Sequence, residues 1–255
     1  MRALPLVFLL LISVGSPVSI AEEIILAVAS NFMKPMQYLA QEFEKTTEHK
    51  VRLAFGSSGK LYAQIIHGAP YHAFFSADQT KIDALAKDGL IVQSSRFTYA
   101  VGQLALWSSN LNGSINAVEQ LKTGNFTKMT LANPKLAPYG AAAVQVLENL
   151  HLRESTASKW VLGENIAQTY QFVYSQNAEL GFVALSQLAA GNALNNTTAW
   201  LIPVELYEPI KQDAALLASG RNNAAANAFI KYMQENHTQA VITSFGYKMQ
   251  HNQEP

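Results

Sequence analysis

The chain has 255 residues with 18 basic and 18 acidic side chains, so it carries no formal net charge at pH 7, and it contains no cysteine. A neutral, mixed surface argues against nucleic acid as a partner, because nucleic-acid binding requires a basic face. The lack of cysteine excludes a disulfide scaffold, a thiolate metal site and a lipid-modified cysteine anchor. An anion site in such a chain has to be built locally.

The N-terminal segment has the pattern of an export signal. Arg2 precedes an apolar run over residues 4–12 (LPLVFLLLI), and the small residues Ser19 and Ala21 lie three and one before Glu22. This combination is typical of a cleaved secretory signal, and the apolar run is too short to span a membrane. We therefore expect residues 1–21 to be a signal peptide that is cut after Ala21, and the mature protein to be periplasmic.

The first half of the mature chain alternates β-rich runs with helical patterns. The predicted strands are residues 24–28, 51–55 and 74–75, and the predicted helices are residues 33–45, 60–67 and 79–87. This β-α-β-α order is typical of a parallel sheet that is covered by helices.

A second block begins near Tyr99. Its predicted strands are residues 102–107, 128–132, 181–183, 200–204 and 213–218, and its predicted helices are residues 139–150, 166–174, 222–234 and 238–245, with a short helix after 183. No linker rich in Gly, Pro or Ser separates the blocks. We expect an α/β protein of two lobes, each a mostly parallel sheet flanked by helices, joined by crossing strands. The predicted lobes are residues 22–99 with 205–255, and residues 100–204.

Polar residues lie at three predicted corners where a strand ends and a helix begins. The corners are residues 29–32 (ASNF), 56–61 (GSSGKL) and 133–140 (NPKLAPYG). Ligands of open α/β sheets bind at the carboxyl ends of strands, and helix beginnings offer unpaired N–H groups and a partial positive charge that suit anions. Helix capping explains each serine or asparagine alone. Three such corners in an exported α/β protein favour a shared ligand.

The chemistry of the corners limits the ligand. None of the three corners contains Asp or Glu, and we expect Asp78 and Glu164 nearby to be capping or structural residues. A fully deprotonated tetrahedral dianion offers only acceptors, so its site should offer only donors. Phosphate near neutral pH carries a proton and favours a site with a carboxylate. The residues therefore predict molybdate, tungstate or sulfate, and the donors alone do not discriminate among these three.

The same motifs, in their order and spacing, resemble the molybdate-binding proteins of bacterial ABC importers. The segments that carry the resemblance are residues 29–32, 56–65 (GSSGKLYAQI), 68–70 (GAP), 75–78 (FSAD), 132–140 (ANPKLAPYG) and 180–183 (LGFV). The resemblance covers essentially the whole mature chain. It implies a type II periplasmic binding protein, active as a monomer, that captures molybdate or tungstate and delivers it to an ABC transporter permease. It implies no cofactor and no metal bound directly to the protein, since molybdenum is held as its oxoanion.

The resemblance also implies a set of ligand-binding residues, which are Ser30, Asn31, Ser58, Tyr139 and Ile166. The two serines match hydroxyl donors of the family, Asn31 matches a residue that contributes from the first corner in some members, and Ile166 matches a position whose backbone N–H faces the anion. One branch of the family places a tyrosine just after its Gly-Ile-Val strand, where this chain has Ala184. We therefore expect the Tyr139 hydroxyl to take that role.

Enzymatic alternatives fit the sequence less well. A serine hydrolase elbow fails at Lys60, and a P-loop fails at Ala54 and Leu61. A serine acyl-transfer enzyme of the SxxK type is the distant alternative, with SSGK at 57–60, SSN at 108–110 and KTG at 122–124. The KTG of that class lies on a strand beside the nucleophile, whereas this one is in a polar stretch that predicts a turn.

Metal-binding proteins and receptors for iron or organic ligands also fit the sequence less well. The six histidines lack metal-ligand spacing, so we expect surface or packing roles for them. An iron or organic-ligand receptor is disfavoured because iron sites cluster tyrosine, histidine and carboxylate, while the three corners offer one tyrosine. Another oxoanion-binding protein, of the sulfate type, remains the nearest alternative.

Overall fold

A computed structural model of the chain describes residues 21–108, 117–189 and 198–250, so the predicted signal peptide lies outside the described residues except for Ala21. The strands are β1 (Glu23–Ala29), β2 (Lys50–Gly56), β3 (Ala73–Phe75), β4 (Phe97–Gly102), β5 (Leu104–Ser108), β6 (Met129–Ala132), β7 (Trp160–Gly163), β8 (Leu180–Ala184), β9 (Thr198–Leu201) and β10 (Ile210–Leu216). The α-helices are α1 (Met33–Thr46), α2 (Ser58–Ile66), α3 (Thr80–Lys87), α4 (Ala117–Thr123), α5 (Pro138–Asn149), α6 (Arg153–Ala157), α7 (Ile166–Tyr174), α8 (Leu185–Ala189), α9 (Ala224–Tyr232) and α10 (Asn236–Ser244).

The strands form two five-stranded sheets, which confirms the predicted two-lobed α/β fold. The strand order is β2-β1-β3-β10-β4 in the first sheet and β7-β6-β8-β5-β9 in the second. In each sheet two pairings are parallel and two are antiparallel, because β10 and β5 run against both of their neighbours. The sheets are therefore mixed, with the parallel part at the end of each sheet where strands alternate with helices.

The chain passes from one sheet to the other at two points. It leaves the first sheet between Gly102 and Leu104, and it returns between Leu201 and Ile210. Strand β4, which was absent from the predicted strands, continues the first sheet as far as Gly102. The predicted lobe limits at residues 99 and 205 remain a proposal, and the strand pairings favour moving the first limit a few residues later.

The two faces of each sheet carry separate cores, as the period of two along a strand requires. On β1, Leu26 and Val28 pack in the cluster that includes α1, α9 and α10, while Ala27 packs in the cluster of α2 and α3. On β5, Leu106 faces the cluster that includes α5, while Trp107 faces α7. Both sheets are thus covered on both faces, which holds the carboxyl ends of their strands in fixed positions.

Predicted elements differ from the observed ones mainly where elements are short. The strand β7 and the helices α4 and α6, of 4, 7 and 5 residues, were not predicted. Helix α2 begins at Ser58 rather than at residue 60, because the Ser57 side chain accepts the N–H of Lys60 and caps the helix. Within the described ranges, no helix has the length and apolar character that a membrane crossing needs.

Candidate functional site

Four helix beginnings converge on one small cavity between the two lobes. The residues that line it are Ala29, Ser30, Asn31, Gly56, Ser57, Ser58, Ala77, Ala137, Pro138, Tyr139 and Ile166. All five predicted ligand-binding residues are in this set, so the structure brings them together. Three of the helix beginnings were predicted as corners. The fourth, at Ile166, entered the prediction only through the family resemblance.

The two serines are placed as hydroxyl donors. Ser58 is 1% exposed, and its Oγ accepts the N–H of Ala77 at 2.9 Å, which leaves its own proton for another acceptor. Ser30 begins a short 3-10 helix (Ser30–Phe32) that leads into α1, and it is 4% exposed. Its hydroxyl has no hydrogen-bond partner among the described residues. Both hydroxyls can therefore donate to an anion in the cavity.

The third and fourth helix beginnings offer backbone donors. Pro138 occupies the first position of α5 and has no N–H, so the next residue, Tyr139, provides the first free amide of that helix. At α7, the Asn165 side chain accepts the N–H groups of Ala167 and Gln168 at 3.0 and 3.1 Å. The cap does not use the N–H of Ile166, which is therefore available to a ligand. The carbonyl of Ile166 accepts a hydrogen bond from Gln187 Nε2 at 3.0 Å.

The cavity is small and carries no formal charge. Its volume is about 10 Å³, so it suits one compact guest. Among the described residues, those that line it include no acid, lysine, arginine or histidine. An anion bound there would be held by hydroxyls, amides and the partial charges of the helix beginnings.

A buried network of neutral groups lies beside the cavity and crosses between the lobes. The Asn31 side-chain amide donates to Gln212 Oε1 at 2.7 Å and to the Tyr247 hydroxyl at 3.0 Å. From the other lobe, the Tyr139 hydroxyl accepts from Gln212 Nε2 at 3.2 Å, and Ser186 Oγ donates to the Asn31 carbonyl at 3.1 Å. Both protons of the Asn31 amide are therefore donated to protein partners, whereas the Tyr139 hydroxyl acts as an acceptor, as the Ser58 hydroxyl does.

Burial keeps the tyrosines of this network neutral. It raises the pKa of Tyr139 well above its ordinary value, and the neighbouring Tyr247 and Tyr99 raise it further, whereas the hydrogen bond from Gln212 lowers it. Burial likewise raises the pKa of Tyr99 and of Tyr247. These hydroxyls thus remain protonated throughout the neutral range.

The lobes are closed on each other at the rim of the cavity. The Gly59 N–H donates to the Leu136 carbonyl at 2.9 Å, and a Cβ at position 59 would lie 3.0 Å from that oxygen, so the approach favours glycine. One residue further on, Lys60 Nζ lies 2.5 Å from a carboxylate oxygen of Glu164, with both side chains about half exposed. Glu164 is thus an inter-lobe ion-pair partner rather than a helix cap, because Asn165 caps α7.

Other predicted residues have structural roles. Asp78 accepts the N–H of Lys81 in the first turn of α3 and pairs with its Nζ at 3.3 Å, as expected of a capping residue. Lys122 and Thr123 end α4 and Gly124 turns with φ of 68°, so the KTG segment is not on a strand; residues 109–110 of the SSN segment lie outside the described residues. The described ranges hold no cluster of three or more metal-ligating side chains.

Two residues of this region, Asn165 and Gln212, were not predicted from the sequence. Asn165 had a local signal, since asparagine immediately before an apolar helical pattern is a common cap. Gln212 had a weaker one, because it is a polar residue just before an apolar strand. It is fully buried and contacts both Asn31 and Tyr139.

Comparisons with known proteins extend over nearly the whole chain. Residues 24–248 match the family model described as "Bacterial extracellular solute-binding protein". The chain is 49% identical to the molybdate-binding protein ModA of Azotobacter vinelandii over 230 residues, which is 90% of this chain and 91% of that protein. It is 40% identical to the molybdate-binding protein ModA of Rhodobacter capsulatus over 227 residues, 89% of this chain and 88% of that protein.

The fold agrees with a solved structure of the same kind. The periplasmic molybdate-binding protein of Azotobacter vinelandii superimposes with a TM-score of 0.84 and 36% sequence identity, covering 89% of this chain and 99% of that one. The similarity includes both sheets, and therefore both sides of the cavity.

Proposed function

The chain belongs to the family of bacterial extracellular solute-binding proteins, and we propose that it captures molybdate or tungstate between its two lobes for delivery to the permease of an ABC transporter. The observation that carries the proposal is the convergence of four helix beginnings on one small cavity without a charged side chain. The relatives that share 49% and 40% of their residues with it over about nine tenths of its length are named as molybdate-binding proteins.

The proposed contacts come from five positions. The hydroxyls of Ser30 and Ser58 donate to the oxoanion, and the backbone N–H groups of Asn31, Tyr139 and Ile166 complete its shell. The backbone is favoured at Asn31 because both protons of its side-chain amide are already donated, to Gln212 and to Tyr247. The predicted role of the Tyr139 hydroxyl as a ligand stays a prediction, because a hydroxyl that accepts from Gln212 can still donate its own proton.

The donor set explains which anions the site accepts. Molybdate, tungstate and sulfate are deprotonated at neutral pH and present only acceptors, which match a shell of donors. Phosphate retains a proton that needs an acceptor, and no carboxylate lines the cavity among the described residues. Sulfate is smaller than the other two anions, so the preference between them depends on the radius of the closed cavity rather than on charge.

Calorimetric titration of the mature protein tests the proposal. We expect tight binding of molybdate and tungstate and far weaker binding of sulfate at the same ionic strength. Equal or tighter sulfate binding would favour the sulfate-type alternative, and the lack of heat with any oxoanion would overturn the proposal. Titration with phosphate is the control, because phosphate is a doubly charged anion that carries a proton.

The proposal includes export to the periplasm with cleavage after Ala21, and action as a monomer without a cofactor. Ala21 is exposed, whereas Glu22 is fixed by hydrogen bonds to the His49 side chain and the Ala225 amide. A cut at this point would keep Glu22 and both of these hydrogen-bond partners in the mature protein. The N-terminal residue of the exported protein, identified by mass spectrometry, tests the site, and its mass in solution tests the monomer.

A further inference from the structure

Gln212 occupies an unusual place for a polar residue. It lies on β10, the inner strand between β3 and β4 through which the chain returns to the first sheet, and its exposure is 0%. The register of β10 against β4 shifts between Gln212 and Asp213, and such a bulge re-aims the side chains of a strand. Its carboxamide points into the inter-lobe network rather than into apolar core.

One amide group joins residues from both lobes. Gln212 Oε1 accepts from Asn31 Nδ2 at 2.7 Å and from the Tyr99 hydroxyl at 3.0 Å. Gln212 Nε2 donates to the Tyr139 hydroxyl at 3.2 Å. Asn31 belongs to the first helix beginning of the cavity and Tyr139 to the third, so the amide connects two walls of the site that are contributed by opposite lobes.

The side-chain amide of Gln212 is tightly packed against Gly102. A Cβ at Gly102 would lie 2.2 Å from the Tyr139 hydroxyl and 2.6 Å from Gln212 Nε2. The glycine at the crossing between the sheets therefore permits the contact. The second proton of the Asn31 amide goes to the Tyr247 hydroxyl at 3.0 Å, so both of its donors are used.

We infer that Gln212 is a positioning residue of the anion site, and this inference rests on the proposed function. Its amide fixes the side chains of Asn31 and Tyr139 outside the cavity, so that both residues direct backbone N–H groups inward. The bond to Tyr139 crosses between the lobes and helps to hold them together. Its loss is expected to favour opening of the loaded protein while leaving the encounter of the open protein with the anion unchanged.

Binding kinetics of the mature protein with molybdate test this role. Tyr139→Phe removes the hydroxyl that accepts from Gln212, and we expect the dissociation rate of molybdate to rise about three- to tenfold with little change in the association rate, in proportion to one hydrogen bond. Gln212→Leu removes the whole junction, and we expect a rise of about 10- to 100-fold. The double variant should dissociate no faster than Gln212→Leu, because the two changes remove the same bond.

Tyr207→Phe is the matched control. The Tyr207 hydroxyl is also buried and accepts the N–H of Leu104 at 3.2 Å, but Tyr207 is not among the residues that line the cavity. Its loss should lower the melting temperature of the ligand-free protein without changing the dissociation rate. If Gln212→Leu does not fold, the comparison of Tyr139→Phe with Tyr207→Phe still decides the question.

The outcomes separate two kinds of failure. A wild-type protein that binds no molybdate overturns the proposed function, and the inference with it. A wild-type protein that binds, with Tyr139→Phe and Tyr207→Phe dissociating at the wild-type rate, overturns the inference alone. Additive effects of Tyr139→Phe and Gln212→Leu on the dissociation rate would also contradict the inference. Additivity would mean that the two residues act independently and not through one shared hydrogen bond.

Discussion

Two neighbouring regions of the same cleft have opposite chemistry. The inner cavity is lined without a charged side chain among the described residues, whereas the outer pocket beside it, of about 360 Å³, is lined by Asp78, Lys81, Lys135, Glu208 and Lys211 among others. The two regions share Ala77, Ala137 and Pro138, so they are in direct contact. The difference between them indicates that a closed site of this kind would not hold an anion by attraction to charged side chains.

Desolvation explains the difference. A buried lysine would lose its hydration, and a buried carboxylate would repel the ligand, so each would cost free energy in a cavity of this size. Helix beginnings supply partial charges that are already fixed by the fold and need no reorganisation. In the outer pocket water solvates the charges, and Lys81 is in addition paired with Asp78 at 3.3 Å. The contrast between the two regions can be tested by introducing charge into the inner cavity and by changing charge in the outer pocket.

The largest effect is expected from a carboxylate in the cavity. Ser58→Asp should reduce molybdate affinity by at least about 1,000-fold, because like charges in a poorly solvated space cost several kcal/mol. Aspartate is well tolerated at a helix beginning, so the fold should be kept. Lys135→Glu, which changes the charge of the exposed outer pocket by two units, should alter affinity less than about threefold at physiological salt. Calorimetry on both variants is the measurement, and similar losses would show that the two regions do not differ.

The second prediction concerns alkaline pH. The pKa values of Tyr99, Tyr139 and Tyr247 are raised in the folded protein above the value of about 10 that applies to an unfolded chain. Between the unfolded and folded values the unfolded chain has lost these protons and the folded protein has not. The unfolding free energy is therefore complete below pH 10 and falls as pH rises further, by about 1.4 kcal/mol per pH unit for each tyrosine.

Urea unfolding at a series of pH values above 9 measures this slope. Tyr139→Phe should make the slope shallower by about one proton. Tyr174→Phe is the control, since it also removes one phenol hydroxyl, from a ring that is 65% exposed and lies outside this network. A slope that is the same in Tyr139→Phe and in the wild-type protein would show that the region beside the cavity does not control the alkaline limit.

The sequence predicted the neutral cavity more fully than the network beside it. Ser30 and Ser58 could be found because strand, corner and helix follow each other locally, and each period is visible within about ten residues. The partners of Gln212 lie 181 and 73 positions away along the chain, so no local pattern marks them. The cavity-lining alanines, such as Ala77 and Ala137, were missed for another reason: small apolar residues carry no signal of their own.

In the fold, too, local features were predicted and long-range features were not. The alternation of β1, α1, β2 and α2 was predicted almost to the residue, since their apolar periods are regular. The antiparallel pairing of β10 with β3 and β4 forms only because the chain returns to the first sheet after the whole second lobe. No feature of residues 210–216 indicates this pairing. Strand β7 was not predicted because it is short and only partly buried, so its alternation of apolar and polar residues is weak.

A smaller effect separates two adjacent serines of the second corner. Ser58→Ala should weaken molybdate binding by about 1–3 kcal/mol, the cost of leaving a charged acceptor without one of its donors. Ser57 accepts the N–H of Lys60 and caps α2, so Ser57→Ala should instead lower the unfolding free energy of the ligand-free protein by about 1 kcal/mol. Paired calorimetry and urea unfolding test both. Equal losses of affinity would mean that the corner acts only through the position of α2.

The smallest effect is expected at the rim, where the closed lobes are joined by an exposed ion pair. Lys60 and Glu164 lie 2.5 Å apart across the cleft, but their side chains are 51% and 46% exposed, so water and salt screen their attraction. Lys60→Gln should therefore weaken molybdate binding by about 0–1 kcal/mol at low salt, and by less at 0.5 M salt. Glu164→Gln should give the same loss, and the double variant should lose no more than either one, because both remove a single pair. A titration at two salt concentrations measures all three variants. A loss for Lys60→Gln as large as that for Ser58→Ala, persisting at high salt, would place charge among the principal contacts of the closed site and would remove the distinction between its inside and its rim.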